Sequence, residues 1–397
     1  MDYSQFLSVV SAAREENVIK VTSDLAQKKP SVIMISGGMP NPNYFPFKTA
    51  SFTLQDGTTI EIGEALMKRI LQYSSTEGIP EFLSWLRDLQ MSLHNPPTAN
   101  YTPDQGQMEI SVIIGSQDSL SKVFEILVNP GDNVLLEDPS YPGTLSALEP
   151  LGCNIIKVPT DKCKKANNNL PKLLYTVPNG NNPAGTSLTA DCKKKLYQTC
   201  SYDFLITEDD PYYFLQIEKI NIHLCLFVFL SHTLRLGFLT GPKPLIDRVI
   251  LHMQSSTITS TFTPVSTIAQ LHNYLTGLFL KTKVMEFYRT QRDAMLAAAD
   301  KWLKGLAEWN IPTAGMFLWI KIKRISNIYQ IITENVSLIP GQLFSIDSSD
   351  PTPFVRASYS FASPNQMDRA FQNLAELIKE TVCKDQNKLA FLETCFH

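Results

Sequence analysis

The feature that most constrains this chain is an alternation that begins near residue 111. Short, almost continuously apolar runs occur at SVIIGS (111–116), NVLLEDP (133–139), 154–158, 173–177 and 204–208. Between them, QDSLSKVFEILV (117–128), YPGTLSALEPLG (141–152) and residues 190–200 carry helical periodicity or helix-start signals. Strands covered on both faces read as unbroken apolar runs, and parallel strands need a helical crossover. The pattern therefore predicts an α/β domain with a mainly parallel sheet. Ligands of such sheets bind at the carboxyl ends of the strands. That directs attention to the loops after residues 116, 139, 178 and 208.

The flanking sequence organises around this unit. Residues 5–29 read as a short helix and an extended arm, and SGGMPNPNYFPF (36–47) as a loop, because Gly, Pro and Asn break regular structure. A helical stretch around 61–72 leads to Gly78-Ile79-Pro80, and Pro80 is a good first residue for a helix over 81–93. Beyond residue 241, helices are expected at 243–254, 262–279 and 281–306, and strands at 311–322 and 353–362. A capped amphipathic helix follows at 363–382. This divides the chain into an arm (1–35), a large domain (36–284), a smaller C-terminal α+β domain (285–382) and a tail (383–397) expected to fray.

Composition narrows the function classes. With 18% charged residues and a net charge of -3, the chain has no polybasic character for nucleic acid or anionic membranes. The seven cysteines show no CxxC pair or Cys/His cluster, which argues against a metal site and suits free thiols in a reducing compartment. The amino terminus lacks the apolar segment of a secretory signal. The apolar run Ile222–Leu230 has about half the length needed to span a bilayer and reads as a buried strand.

Several residues could carry chemistry. Asp209 and Asp210 follow a strand that opens into the expected ligand crevice. They suit either a capped, solvated turn or a carboxylate that keeps a pyridine nitrogen protonated, with Tyr212 near a ring oxygen. PNGNNPAG (178–185) is either a rigid turn or a way of aiming Asn182 at a ligand. Gly115-Ser116-Gln117 marks a strand-to-helix junction, where a serine cap or a phosphate would be equally at home. Tyr141 could stack on a planar ring or pack in the core. Arg356 could grip a carboxylate or form a surface ion pair.

Taken in order, SGGMPNPNYFPFKTA, LQYSSTEGIPE, NPGDNVLLEDPSYPGTL, YTVPNGNNPAG, EDDPYYFLQ, LRLGFLTGPKPLI, AGMFLWIK and RASYSFASP resemble the fold-type I, class-I aminotransferases, from the first residue to about 382. The resemblance implies a homodimer with shared sites, pyridoxal phosphate as cofactor, and amino acids and 2-oxo acids as substrates. Within the family the likeness is to enzymes acting on 2-aminoadipate and kynurenine with 2-oxoglutarate, in the mitochondrial matrix or, alternatively, the cytoplasm. It implies Ser116, Gln117 and Arg235 at the cofactor phosphate, Tyr141 on the pyridine ring, Asn182 and Tyr212 at the 3'-oxygen and Asp209 at the ring nitrogen. Arg356 would hold the substrate α-carboxylate, with Tyr141 and Asn182 beside it, Gly38 lining the pocket and Tyr73 reaching the partner's site. Lys20 stands where an arginine on the mobile arm meets the distal end of the substrate. Lysine keeps that charge but loses the fork.

One stretch departs from the family pattern. The Schiff-base lysine is expected in a Ser-x-Ser-Lys turn seven residues before the phosphate-binding arginine. With Arg235 as anchor that position is Val228, and residues 225–228 read Cys-Leu-Phe-Val. Residues 222–235 contain no lysine, and only 26 residues separate Asp209 from Arg235. A loop, much of a strand and the lysine turn are therefore expected to be missing, which leaves the central sheet incomplete. PTDKCKKANNNLP (159–171) and IITENVSLIP (331–340) also read as shortened. Neither Lys219 nor Lys243 has an evident reason to substitute for the missing lysine. The alternative function is therefore a catalytically defective chain that binds cofactor or dimerises.

Overall fold

The computed structural model describes residues 2–17, 31, 38–53, 57, 59–159, 171–199, 204–217, 227–231, 236–257, 283–325, 337–349 and 351–395. A short helix, α1 (Val9–Ala12), is capped by Ser8 and leads into a non-helical stretch over 14–17. Strands β1 (Ala50–Thr53) and β2 (Thr59–Ile62) form an antiparallel hairpin. The helix expected from residue 61 starts only at Glu64, as α2 (Glu64–Ile70), because the alternating Thr-Ile-Glu-Ile is drawn into the hairpin. Helix α3 (Pro80–His94) begins on Pro80 and stops at Asn95, which adopts a left-handed conformation.

The α/β unit follows the expected alternation. In chain order it comprises β3 (Met108–Ile113), α4 (Ser116–Leu127), β4 (Asn133–Asp138), α5 (Pro142–Leu148), β5 (Asn154–Pro159), β6 (Leu173–Thr176), α6 (Ala190–Thr199) and β7 (Leu205–Glu208). Strands β5, β4, β6 and β7 lie side by side in that order, all parallel. Val134, Leu136, Leu173 and Tyr175 from this sheet pack with Leu120, Phe124 and Leu127 of α4 in the largest core.

The next two strands, β8 (Phe227–Ser231) and β9 (Leu236–Pro242), build a separate sheet of order β3-β9-β8 in which every pairing is antiparallel. Among the described residues no ladder joins β7 to β8. A cavity of about 60 Å³ lies instead between Leu205 and Thr207 of β7 and Leu239 and Gly241 of β9. The expected incompleteness of the central sheet thus takes the form of two sheets with an unpaired seam. Helix α7 (Lys243–Ser256) supplies Val249 to the wall of that cavity.

A second core forms around α8 (Met285–Trp302) and the sheet β10 (Ala307–Trp309), β11 (Phe317–Ile322), β12 (Ile339–Pro340) and β13 (Phe354–Ser358), ordered β10-β11-β13-β12 and antiparallel throughout. The strand expected over 311–322 begins only at Phe317, since Pro312 and Gly315, with φ +79°, interrupt its front. The last helix, α9 (Pro364–Cys395), starts with a capping box in which Ser363 Oγ accepts from Gln366 N and Gln366 Oε1 accepts from Ser363 N. It continues through the tail expected to fray, because residues 383–395 contain neither glycine nor proline to stop it. No described helix is long and apolar enough to cross a membrane. The helix expected over 262–279 lies outside the described residues.

Candidate active site

The chain segments that follow β3, β4, β6 and β7 converge on one cavity of about 550 Å³. Ser116 and Gln117 enter it at the start of α4, behind Gly115, whose φ of +83° and ψ of 176° only glycine adopts without strain. Free N–H groups at such a helix start favour an anion. The Gln117 side chain is committed elsewhere. Its Nε2 donates to Gly143 O at 2.9 Å, tying α4 to α5, while its Oε1 has no hydrogen-bond partner. Tyr141, just before α5, contributes a half-buried ring to the wall.

Asp209 closes the deep end of the cavity and is 4% exposed. Its N–H donates to Thr176 O at 2.9 Å, and its Oδ2 accepts from the Tyr175 hydroxyl at 2.9 Å. Its second oxygen, Oδ1, is buried without a hydrogen-bond partner. Burial pushes this carboxyl up to about 6, against the pull of the Tyr175 hydroxyl, so most of it remains ionised at neutral pH. A buried carboxylate with one oxygen satisfied and one without a partner lacks a donor. A protonated pyridine nitrogen would be such a donor. Pyridoxal phosphate therefore fits these residues, with its ring nitrogen at Asp209 and its phosphate toward Ser116.

The asparagine turn after β6 is held by a different partner at each position. Asn179 donates to Asp210, Asn181 Nδ2 donates to Glu137 Oε2 at 2.7 Å, and Asn182 Oδ1 accepts from Arg356 Nη1 at 2.7 Å. Gly180, with φ +59°, lets the turn pass so close to Ala314 that a Cβ would meet backbone at 2.7 Å. Asn182 also bonds Tyr212, whose hydroxyl is raised far above its ordinary range by burial and by Asp209. The Arg356 guanidinium lies over the rings of Phe317 (4.2 Å) and Phe344 (4.9 Å), and its Nε has no partner. Burial lowers its affinity for the proton, while Tyr212 and Tyr141 act in the opposite sense. Tyr288, Met316 and Phe361 form a more apolar rim, and Phe361 is 97% exposed.

The structure thus brings together Ser116, Gln117, Tyr141, Asn182, Asp209 and Tyr212 in one wall, with Arg356 bonded to it. Gly38 is exposed and Tyr73 is 57% exposed, and neither lines the cavity. Lys20 and Arg235 lie outside the described residues, as does Lys219. Val228 sits inside β8 opposite Phe238. None of the described lining residues is a lysine. Lys243 is bonded to Asp247 at 2.7 Å on α7, and the buried Lys193 donates to Asn179 Oδ1 at 3.1 Å.

Two contributors escaped the sequence reading, Tyr175 and Glu137. Each is a buried polar side chain within a parallel strand, and a buried hydroxyl or carboxyl there has to find a partner. Glu137 accepts from Thr176 Oγ1 at 2.8 Å as well as from Asn181, and burial pushes it up to about 7.

A family model for aminotransferase class I and II matches residues 41–214. The chain is 49% identical to kynurenine/alpha-aminoadipate aminotransferase, mitochondrial, of Bos taurus, over 96% of this chain and 100% of the relative. The Mus musculus protein of the same description is 48% identical over the same shares. The alignment with each runs over 425 residues, longer than this chain of 397, so these relatives carry segments that this chain skips. Among solved structures, aminotransferase Aro8 from Candida albicans superposes with a TM-score of 0.82 at 25% identity, covering 96% of this chain and 98% of that one. By its α/β architecture, the pocket built around Asp209 and this likeness along its length, the chain belongs to the class I and II aminotransferases, of the pyridoxal-phosphate-dependent fold-type I.

Proposed function

We propose that this chain carries the pocket of an aminotransferase acting on L-2-aminoadipate or L-kynurenine with 2-oxoglutarate, and that it has lost most of its catalytic power. The pocket reading rests above all on Asp209, a buried carboxylate with one oxygen tied to Tyr175 and the other without a partner. When bound there, pyridoxal phosphate would serve as an electron sink for the substrate α-carbon. Ser116 and the first N–H groups of α4 would receive the phosphate, assisted by Arg235. Tyr141 would lie against the ring, and Asn182 and Tyr212 would bond the 3'-oxygen. Arg356 would exchange its bond to Asn182 for a bidentate grip on the substrate carboxylate. Lys20, Gly38 and, from a second protomer of a homodimer, Tyr73 would complete the substrate side. The division into an arm, a large domain over 36–284 and a small domain over 285–382 is part of the same reading. So is the mitochondrial matrix, which the descriptions of the bovine and mouse relatives favour.

The loss of power follows from the seam. The expected lysine position, Val228, falls within β8, and the described cavity wall offers no amine. Without such a group, none of the described residues of the wall shuttles the proton between the substrate carbon and the cofactor. A deficit of several orders of magnitude, on the order of 5 kcal/mol or more of barrier, is expected. Absorbance titration with pyridoxal phosphate, then borohydride reduction and peptide mass mapping, tests both parts. Saturable binding with no pyridoxyl group fixed to a lysine is the expected result. Failure to bind would remove the pocket reading, and stoichiometric labelling of Lys219, Lys243 or another lysine would remove the defect.

A further inference from the structure

We infer that Tyr175 is a positioning residue that aims Asp209 at the ligand and holds its carboxylate in the ionised form. The geometry carries this. Tyr175 stands in β6, the strand beside β7, and is 1% exposed. Its ring packs edge-on against Phe124 at 6.0 Å, which sets the hydroxyl oxygen 2.9 Å from Asp209 Oδ2, with the Thr144 side chain as a second polar neighbour of the hydroxyl. The next residue, Thr176, accepts the Asp209 N–H at 2.9 Å, so two successive residues of β6 grip Asp209 by backbone and by side chain. With Oδ2 occupied and the backbone pinned, Oδ1 is the oxygen left for a ligand in the cavity that both residues line.

The electrostatics point the same way. Burial and the neighbouring Asp209 raise the Tyr175 hydroxyl well above its ordinary value, so it remains a donor across the whole working pH range. A donor that cannot ionise favours the charged form of the carboxylate it meets. Among the described residues, Asp210 and Tyr212 on its own loop are also coupled to Asp209. Each feels the Asp209 charge, and each is shifted toward its neutral form by burial first. Tyr175 on the adjacent strand is the hydrogen-bonding group that offsets the burial of Asp209.

The inference extends the pocket reading, since the ligand atom at Asp209 Oδ1 is taken to be the ring nitrogen of pyridoxal phosphate. Its test has one arm that needs no cofactor. In the chain without cofactor, carbon-13 carboxyl NMR of Asp209 should titrate near the value above, and Tyr175→Phe should raise it by about one unit. Phenylalanine keeps the ring and its packing on Phe124. In the second arm, nitrogen-15 pyridoxal phosphate is bound to each protein. The parent chain should show a protonated ring nitrogen at neutral pH, and Tyr175→Phe should move the pH of its deprotonation down by about one unit and weaken binding roughly tenfold. Asp209→Asn should abolish protonation, and adding Tyr175→Phe to it should change little further. An Asp209 titration unmoved by Tyr175→Phe would overturn the inference. A shifted titration in a chain that binds no pyridoxal phosphate would leave the role of Tyr175 standing and remove the pocket reading.

Discussion

The two sheets beside the largest core differ in how completely they are built. In the sheet β5-β4-β6-β7 every neighbouring strand is paired and parallel, and the chain segments that follow β4, β6 and β7 deliver Tyr141, Asn182, Asp209 and Tyr212. The sheet β3-β9-β8 is antiparallel and has no ladder to β7 among the described residues, and an apolar cavity lies between β7 and β9. Most recognition residues follow strands of the first sheet, while Ser116 and Gln117 follow β3 of the second, which on the reading proposed above also holds the expected lysine position, at Val228. On that reading, binding geometry and proton transfer are separable, because β8 carries the lysine position and the segments after β4, β6 and β7 carry most of the binding residues.

The comparison would be tested most severely by repairing the weaker side. Replacing residues 218–235 with the corresponding segment of the bovine relative should raise transamination of 2-aminoadipate or kynurenine by about 10³-fold or more, read as product formed per minute. No gain would mean that the complete side is itself defective. On the paired side, Asp209→Asn removes a buried, charge-assisted hydrogen bond and should weaken pyridoxal phosphate binding by about 2 kcal/mol, roughly thirtyfold in the titration Kd. Arg356→Lys keeps the charge but loses the fork and its place between Phe317 and Phe344. Binding of a substrate-like carboxylate should fall about tenfold with cofactor binding nearly unchanged.

The smallest effect concerns pH. Glu137, Asp209 and Asp210 are each raised by burial, so between about pH 4 and 8 these three groups hold more protons in the folded chain than in the unfolded one. Their contribution to stability is present below the unfolded values near 4 and is lost as pH rises through the folded ones. Melting temperature should therefore fall from pH 5 to pH 8 through these groups, and Glu137→Gln should flatten part of that slope. A slope unchanged in Glu137→Gln would remove this carboxyl from the account.

Much of the paired side was legible in the sequence. Apolar runs bounded by turn residues located β4, β6 and β7 to within a residue or two, and the loops at their ends were the right places to look. Resemblance then assigned Asn182, Asp209, Tyr212 and Arg356 singly, and the structure brings them together. Less legible were features that depend on contacts between distant segments. The β1–β2 hairpin was missed because its alternation is only four residues long and runs into a helix signal at Glu64. The tail was expected to fray because its apolar periodicity is weak, yet helix continuation requires only the absence of a breaker. Tyr175 and Glu137 read as strand filler, since their hydrogen-bonding partners lie 34 and between 39 and 44 positions away.

The asparagine turn has a consequence for how the protein ages. Asn179 is followed by glycine, the pair in which a backbone nitrogen most readily attacks the side-chain amide and leaves aspartate or isoaspartate. In the fold that reaction is blocked. Gly180 N is engaged by Ser187 Oγ at 3.0 Å, and the fully buried Asn179 amide is held between Asp210 and Lys193. Deamidation at residue 179 therefore records time spent unfolded; the loss of ammonia makes each event permanent, and the new carboxylate would oppose refolding by facing Asp210 in the core.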